Sequence, residues 1–232
     1  MNKKTFFAAL ALAAASPALA QTEQATQRGD VTKTVEYNEG KHSFWDNCFV
    51  SASGGVQVYF SDHDRQARFG DRLAPALDIA VGKWFNRWAG LRLMYSGLQL
   101  KGATQNGAHS TGKDLAGKPQ AGYWLEHQKF NTYHIHADAL FNVTNLIWGE
   151  NKGRIYDCSP YAGIGLIGTG DAPSKTCVAG DFGLYNTFRL ATNWAINLDL
   201  RATVTSDKLD GEEGGRIEGI LGLTVGVTYT FR

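Results

Sequence analysis

The sequence predicts an all-β protein, an eight-stranded antiparallel up-and-down transmembrane β-barrel. Three observations carry that expectation. Apolar and polar residues alternate over stretches of about ten residues, longer than the five or six usual in globular strands. The connections between these stretches alternate between compact and long. Five of the six tryptophans fall at one set of strand ends.

The chain opens with MNKKTFFAALALAAASPALA: two lysines, an apolar run, then small residues at Ala18 and Ala20. That is the pattern of a secretory signal peptide over residues 1–20, cleaved after Ala20. The residue directly after the cut is Gln21 and not cysteine, which argues against a lipoprotein. Removing Lys3 and Lys4 leaves 21 basic residues (23 less 2) against 22 acidic ones, so the mature charge is −1 and no nucleic-acid partner is expected. Beyond the signal there is no apolar run of roughly eighteen residues that would make a transmembrane helix. Residues 21–44, beginning QTEQATQRGD, read as a flexible periplasmic leader, and residues 45–232 as the barrel domain.

The strands follow in order. The first, residues 48–60, is preceded by Trp45. The second, 73–84, ends in the compact turn FNRWAG, and the third is 90–97. After the longest connection comes the fourth, 132–142, in which Tyr133, Ile135, Ala137, Ala139 and Phe141 alternate with His134, His136 and Asp138. A moderate segment around Trp148 leads to the fifth strand, 156–168, and a proline-containing loop to the sixth, 178–190. After a tight turn at Ala191 and Thr192, the seventh, 193–204, sets Ile196, Leu198 and Leu200 against Asn197, Asp199 and Arg201. The eighth, 217–231, alternates Leu221, Leu223, Val225, Val227, Tyr229 and Phe231 with glycine and threonine. In this topology Trp45, Trp84, Trp88, Trp148 and Trp194 converge on one rim with Phe231 as an interfacial aromatic girdle, and Trp124 alone lies in a long loop. Compact turns on the rim with the termini and long polar loops on the other are the periplasmic and extracellular ends of an outer-membrane barrel.

One motif points elsewhere. YAGIGLIGTG places Gly163, Gly165 and Gly168 in the spacing of a dinucleotide-binding turn. That turn requires a helix after the glycines, but the residues that follow are TGDAPSKT, and an exported chain meets little nucleotide. Ala162, Ile164 and Leu166 read instead as lipid-facing, and the glycines as positions that let a narrow barrel bend and pack closely.

The segments GDRLAPALDIAVGKWF (residues 70–85) and LRLMYSGLQLKGATQ (residues 91–105), with the ending LGLTVGVTYTFR, resemble the transmembrane half of OmpA-like outer-membrane proteins across residues 45–232. The resemblance implies an eight-stranded barrel inserted by the outer-membrane assembly machinery. Many relatives continue into a peptidoglycan-binding domain, and the chain is expected to lack one.

Parity places Asp78, Arg92, His134, His136, Asp138, Asp181, Arg189, Asp199, Arg201 and Glu218 in the lumen. Eight strands enclose a space that side chains fill. Charges there are costly unless paired, so a lumen plugged by ion pairs is expected, without large conductance. His134, His136 and Asp138 are potential ligands on one strand face. Residues two apart stand nearly 7 Å apart, however, and a closed site needs ligands from other strands that the sequence does not name, so no metal and no cofactor are expected. In the loops, His63 with Asp62 and Asp64, and His109 with Ser110, are the only clusters with catalytic character, and solvated loop residues explain them more simply. Cys48, Cys158 and Cys177 are odd in number, and no disulfide within the barrel is expected.

The expected function is that of a monomeric integral outer-membrane protein, not an enzyme. Its role would be structural, envelope-stabilising or adhesive, through contacts with lipids and lipopolysaccharide and through loops facing an unnamed surface ligand. A narrow gated porin is the second reading, and a lipid-modifying or proteolytic enzyme the third.

Overall fold

The computed structural model describes residues 44–61, 63–115, 125–149, 151, 153–211 and 217–231. The expected signal peptide, residues 21–43 of the expected leader, Asp62, Trp124 and Arg232 lie outside the described residues.

Among the described residues, nine strands form one antiparallel sheet: β1 (Cys48–Phe60), β2 (Leu73–Trp84), β3 (Ala89–Thr104), β4 (Ser110–Asp114), β5 (Glu126–Phe141), β6 (Tyr156–Thr169), β7 (Thr176–Arg189), β8 (Trp194–Thr205) and β9 (Glu218–Thr230). The order is β3-β2-β1-β9-β8-β7-β6-β5-β4, and β3 also pairs with β5. Eight strands therefore close into a barrel, and β4 is a short addition on β5 outside the ring. Closure leaves no barrel edge with unpaired backbone groups, the condition for strands in hydrocarbon.

The alternation resolves as a barrel turned inside out relative to a water-soluble one. On β9, Leu223, Val225 and Val227 are 44, 52 and 49% exposed, whereas Thr224 and Thr228 are 2 and 5% exposed. Apolar side chains that point outward in a continuous belt have only lipid to pack against. We expect Val225→Arg, midway along this outward row, to cost about 2–4 kcal/mol in urea unfolding from liposomes, and the same change at the rim residue Ile217 about 0–1 kcal/mol. Equal costs at the two positions would place the bilayer elsewhere.

β3 and β5 depart from the windows 90–97 and 132–142. They are 16 residues long and pair from Ala89 with Phe141 to Thr104 with Glu126. At about 3.3 Å per residue they reach roughly 53 Å, whereas about ten residues cross a membrane. Their outer halves leave the hydrocarbon, where a strand has no need of an apolar face. The alternating signal fades there, and so the sequence windows stop short.

The rim carrying both barrel termini, where Phe49 pairs with Thr230, has turns at residues 85–88 and 190–193. Its third connection, residues 142–155, contains the helix Val143–Trp148, with the Asn142 side chain accepting from the Asn145 amide at 2.7 Å as its N-cap. On the distal rim, the β6–β7 connection is only residues 170–175. The expected rule of short turns on one rim and long loops on the other is therefore reversed for this pair, because a helix lies on the short-turn side. Cys158 pairs with Asn186 and Cys177 with Ile167, so the two cysteines stand nine residues apart along β6, roughly 30 Å, and are free, as is Cys48.

Candidate functional site

The barrel interior is stacked in three layers. Nearest the terminal rim, Phe49, Leu140, Tyr161 and Tyr185 form an apolar floor with Trp84 packed against it. Toward the distal rim, Tyr59, Leu100, Phe130, Ile167, Cys177, Ala179, Leu209 and Ile220 form an apolar lid. Leu209 comes from the β8–β9 loop and is fully buried. Between them lies a polar belt.

The belt is built around Arg92, which is 1% exposed. Its Nε and Nη2 donate to Asp138 Oδ2 at 2.9 and 2.7 Å, and its Nη1 donates to Asp199 Oδ2 at 2.8 Å. Its guanidinium also lies over the rings of Tyr161 and Tyr185, 4.4 and 5.0 Å from their centroids. The Tyr161 hydroxyl donates to the other oxygen of Asp199 at 2.7 Å. A second pair joins Arg201 Nη2 to Asp78 Oδ1 at 3.0 Å, and the Thr224 hydroxyl donates to Asp78 Oδ2 at 2.8 Å. The third centre holds the histidines. His136 Nδ1 lies 2.7 Å from Asp138 Oδ1, and His134 Nε2 lies 3.2 Å from Asp181 Oδ2. Thr203 donates to Asp181 Oδ1 at 2.6 Å.

The glycine motif explains how β5 and β7 meet across β6. Gly163 stands opposite both Asp138 and Asp181, and Gly165 stands opposite His136. A Cβ on Gly163 would overlap the Asp138 carboxylate, and one on Gly165 would overlap the Ile135 carbonyl oxygen and His136 Cβ. The bare backbone of β6 is the floor on which the β5 side chains lie to reach Asp181. Gly168 faces outward, beneath the Tyr133 ring.

Of the residues expected in the lumen network, Asp78, Arg92, His134, His136, Asp138, Asp181, Asp199 and Arg201 lie in this belt. Glu218 is buried apart from them, at the distal end near Tyr59 and Asp210. Arg189 is a correction: it stands at the terminal rim, 29% exposed and 3.7 Å from Asp157, because its inward parity falls past the floor of the lumen. Thr203 and Thr224 complete the belt, and Tyr161 and Tyr185 reach it from the floor through their contacts with Arg92. Their inward parity was the available signal, but their lack of charge hid their part.

Trp45, Trp88, Trp148 and Trp194 are exposed at the terminal rim, and the Phe231 ring lies tilted beside Trp45 with centroids 6.2 Å apart. Trp84 is a second correction. It shares the parity of Asp78 and Ala80 and packs inward on Phe49, at 6.1 Å between centroids.

The loop clusters hold themselves together. The Ser110 hydroxyl donates to Glu126, and His109 stacks on Phe130 at 4.6 Å between centroids. Asp64 is 1% exposed, accepting from the Ser61 and Ala103 amides at 2.7 and 2.8 Å. It tethers the first distal loop to β3. Burial, only partly offset by those bonds and by Arg72, pushes its carboxyl up to about 6 from the usual 3.8. The folded loop therefore holds this proton more tightly than the unfolded chain, so its stability falls as pH rises from about 4 through 6, by roughly 3 kcal/mol in all. We expect the Ser61 and Ala103 amides, corrected for intrinsic exchange, to be better protected at pH 5 than at pH 7.5, and Asp64→Asn to flatten that dependence. Protection that rises with pH would contradict the buried carboxyl.

One arrangement inside the belt has the order of a hydrolytic relay: Ser96 Oγ lies 3.4 Å from His136 Nε2, whose Nδ1 faces Asp138. Ser96 is 2% exposed and the Asp138 carboxylate is held by Arg92, so no acyl group reaches the hydroxyl.

No protein-family model matches the chain. It is 26% identical over 243 residues to Outer membrane protein 40 of Porphyromonas gingivalis (strain ATCC BAA-308 / W83), in an alignment that covers 99% of the chain and 58% of that protein. The chain thus spans less than two thirds of this relative. Among solved structures, it is similar to Neisserial surface protein A, with a TM-score of 0.53 at 12% identity, covering 80% of the chain and 98% of that one. This similarity is one of fold. The closed barrel, its apolar outer wall and the similarity to an outer membrane protein identify an integral outer-membrane barrel, crossing with strands; no helix among the described residues is long and apolar enough to cross.

Proposed function

We propose that this barrel is a monomeric structural element of the outer membrane that acts through its surfaces and neither catalyses nor conducts. One observation carries the reading. Between the apolar floor and lid, Arg92, His136, Asp138 and Asp181 are at most 1% exposed, so no water-sized path passes their side chains. A lumen filled in this way gives an ion no hydrated route. What remains for function is the outside.

The outside has two working regions. At the terminal rim, read as periplasmic, Trp45, Trp88, Trp148 and Trp194 serve as an interfacial girdle anchoring the barrel in lipid. At the distal rim, read as extracellular, the β3–β5 hairpin with β4 projects beyond the membrane as a platform for contact with lipopolysaccharide or another surface. In this reading, residues 1–20 direct export, residues 21–44 form a periplasmic leader, and the outer-membrane assembly machinery inserts the barrel.

Planar-bilayer recording of the refolded protein is expected to show no large stable open steps. Cells carrying the chain with residues 106–113 replaced by glycine and serine are expected to keep a folded, heat-modifiable barrel and to lose surface attachment gained by expressing the unaltered chain. Stable conductance would overturn the sealed lumen, and attachment unchanged by the replacement would overturn the hairpin's role.

A further inference from the structure

The polar belt does not balance its charge. Asp78, Asp138, Asp181 and Asp199 face two guanidiniums, Arg92 and Arg201, and all six are at most 5% exposed. Arg201 is matched to Asp78, and Arg92 is shared between Asp138 and Asp199. Two negative charges are left, centred where the histidines lie. Burying them uncompensated is costly, and two positive charges there, carried by protons or by a metal ion, would offset them.

Two protonated imidazoles would supply them, but the geometry opposes it. The His134 and His136 rings are stacked 4.4 Å apart at 22°, so two imidazoliums would lie face to face with no water between. A single divalent cation brings the same charge without that repulsion. The donors converge on one point: one nitrogen or oxygen from each of His134, His136 and Asp181 lies within 4.8 Å of the others. His134 Nε2 and Asp181 Oδ2 are 3.2 Å apart, and His136 Nδ1 is 3.8 Å from Asp181 Oδ2. Ligand atoms about 2.1 Å from a tetrahedral ion are separated by roughly 3.4 Å, so both distances to Asp181 Oδ2 lie within a few tenths of an ångström of that value, and the two imidazoles adjust toward each other to close the set. Asp138 Oδ1, 2.7 Å from His136 Nδ1, borders this set as a neighbouring carboxylate.

A further observation points to a ligand. His134 Nε2 and Asp181 Oδ2 are both buried and lack a well-formed hydrogen bond despite their proximity, and the two residues are 4 and 0% exposed. Native interiors seldom leave a buried nitrogen and a buried carboxylate oxygen facing each other in this state. Metal ligation would use both. The outer contacts also suit it, since Ser96 Oγ lies 3.4 Å from His136 Nε2 and Thr203 holds the other oxygen of Asp181. Gly163 and Gly165 provide the space.

We propose that His134, His136 and Asp181, with the Asp138 carboxylate beside them able to complete the set, form a divalent transition-metal site in the barrel lumen, of the kind that takes Zn(II), stapling β5 to β7 across the glycines of β6. Nδ1 of His136 is freed for the ion when its proton passes to Nε2, which faces Ser96 Oγ 3.4 Å away, so the ring binds as a neutral imidazole. The ion enters while the barrel closes, since the folded belt is sealed.

The test uses tag-free protein refolded into detergent micelles with Zn(II) or Co(II), then passed through a chelating column. About one equivalent of metal is expected to remain on the wild type, with the Co(II) form showing the visible bands of tetrahedral coordination. His134→Gln and Asp181→Asn are expected to retain less than a tenth of that while still showing the gel shift of a folded barrel, and His109→Gln to retain all of it. If a variant fails to fold, the Co(II) spectrum of the wild type decides alone. Wild type that folds without retaining metal, retention undiminished in His134→Gln, or an octahedral aqueous Co(II) spectrum would overturn the proposal.

Discussion

Replacing Arg92 with methionine is expected to lower the unfolding free energy by about 3–5 kcal/mol, read from urea titrations in detergent or liposomes. Arg92 donates three hydrogen bonds to two carboxylates at once, from a position 1% exposed and with its guanidinium over two tyrosine rings. Methionine fills much of the volume but leaves Asp138 and Asp199 facing each other without a cation. The cost is that of stranded carboxylates rather than of lost attraction. Lysine should recover little, because a single ammonium cannot span the two acids as the planar fork does. Adding Asp199→Asn to Arg92→Met should restore much of the loss, since the pair of changes removes one charge of each sign. A loss below about 1 kcal/mol would mean that water reaches these carboxylates, and the sealed lumen would fall with it.

Gly165→Val should cost about 3 kcal/mol or more and, at growth temperature, remove the heat-modifiable folded form. Its Cβ would meet the Ile135 carbonyl oxygen and the His136 Cβ, and a backbone oxygen inside a paired strand cannot step aside without breaking the β5–β6 ladder. The control is Gly180→Val on β7, where a Cβ meets nothing within 4 Å and the side chain joins an outward apolar row. That change should be neutral within about 0.5 kcal/mol. Equal effects at the two glycines would remove the close-approach explanation for the motif.

These two predictions divide what sequence could foresee from what it could not. That Gly163 and Gly165 belong to a strand rather than a nucleotide loop was legible in the lipid-facing Ala162, Ile164 and Leu166 between and beside them, and in the chain that follows. That they clear the floor beneath His136 and Asp138 was not, since the residues concerned meet only through the β5–β6 register. Likewise, parity put Asp78, Arg92, Asp138, Asp199 and Arg201 inside, but gave no reason to pair Arg92 with residues 46 and 107 positions away. The potential ligands on β5, for which no metal was expected, lacked Asp181, which stands two strands over.

Strand identity and the inside-out arrangement of faces were thus determined by the sequence alone, because a period of two is a local property that each strand carries by itself. The tertiary structure decided the height at which each inward residue stands in the tube: Arg92 at the centre, Arg189 beyond the floor, Trp84 turned in against Phe49 and β3–β5 extended past the membrane. Height depends on the stagger with which eight strands close, and that stagger is a property of the ring rather than of any one segment.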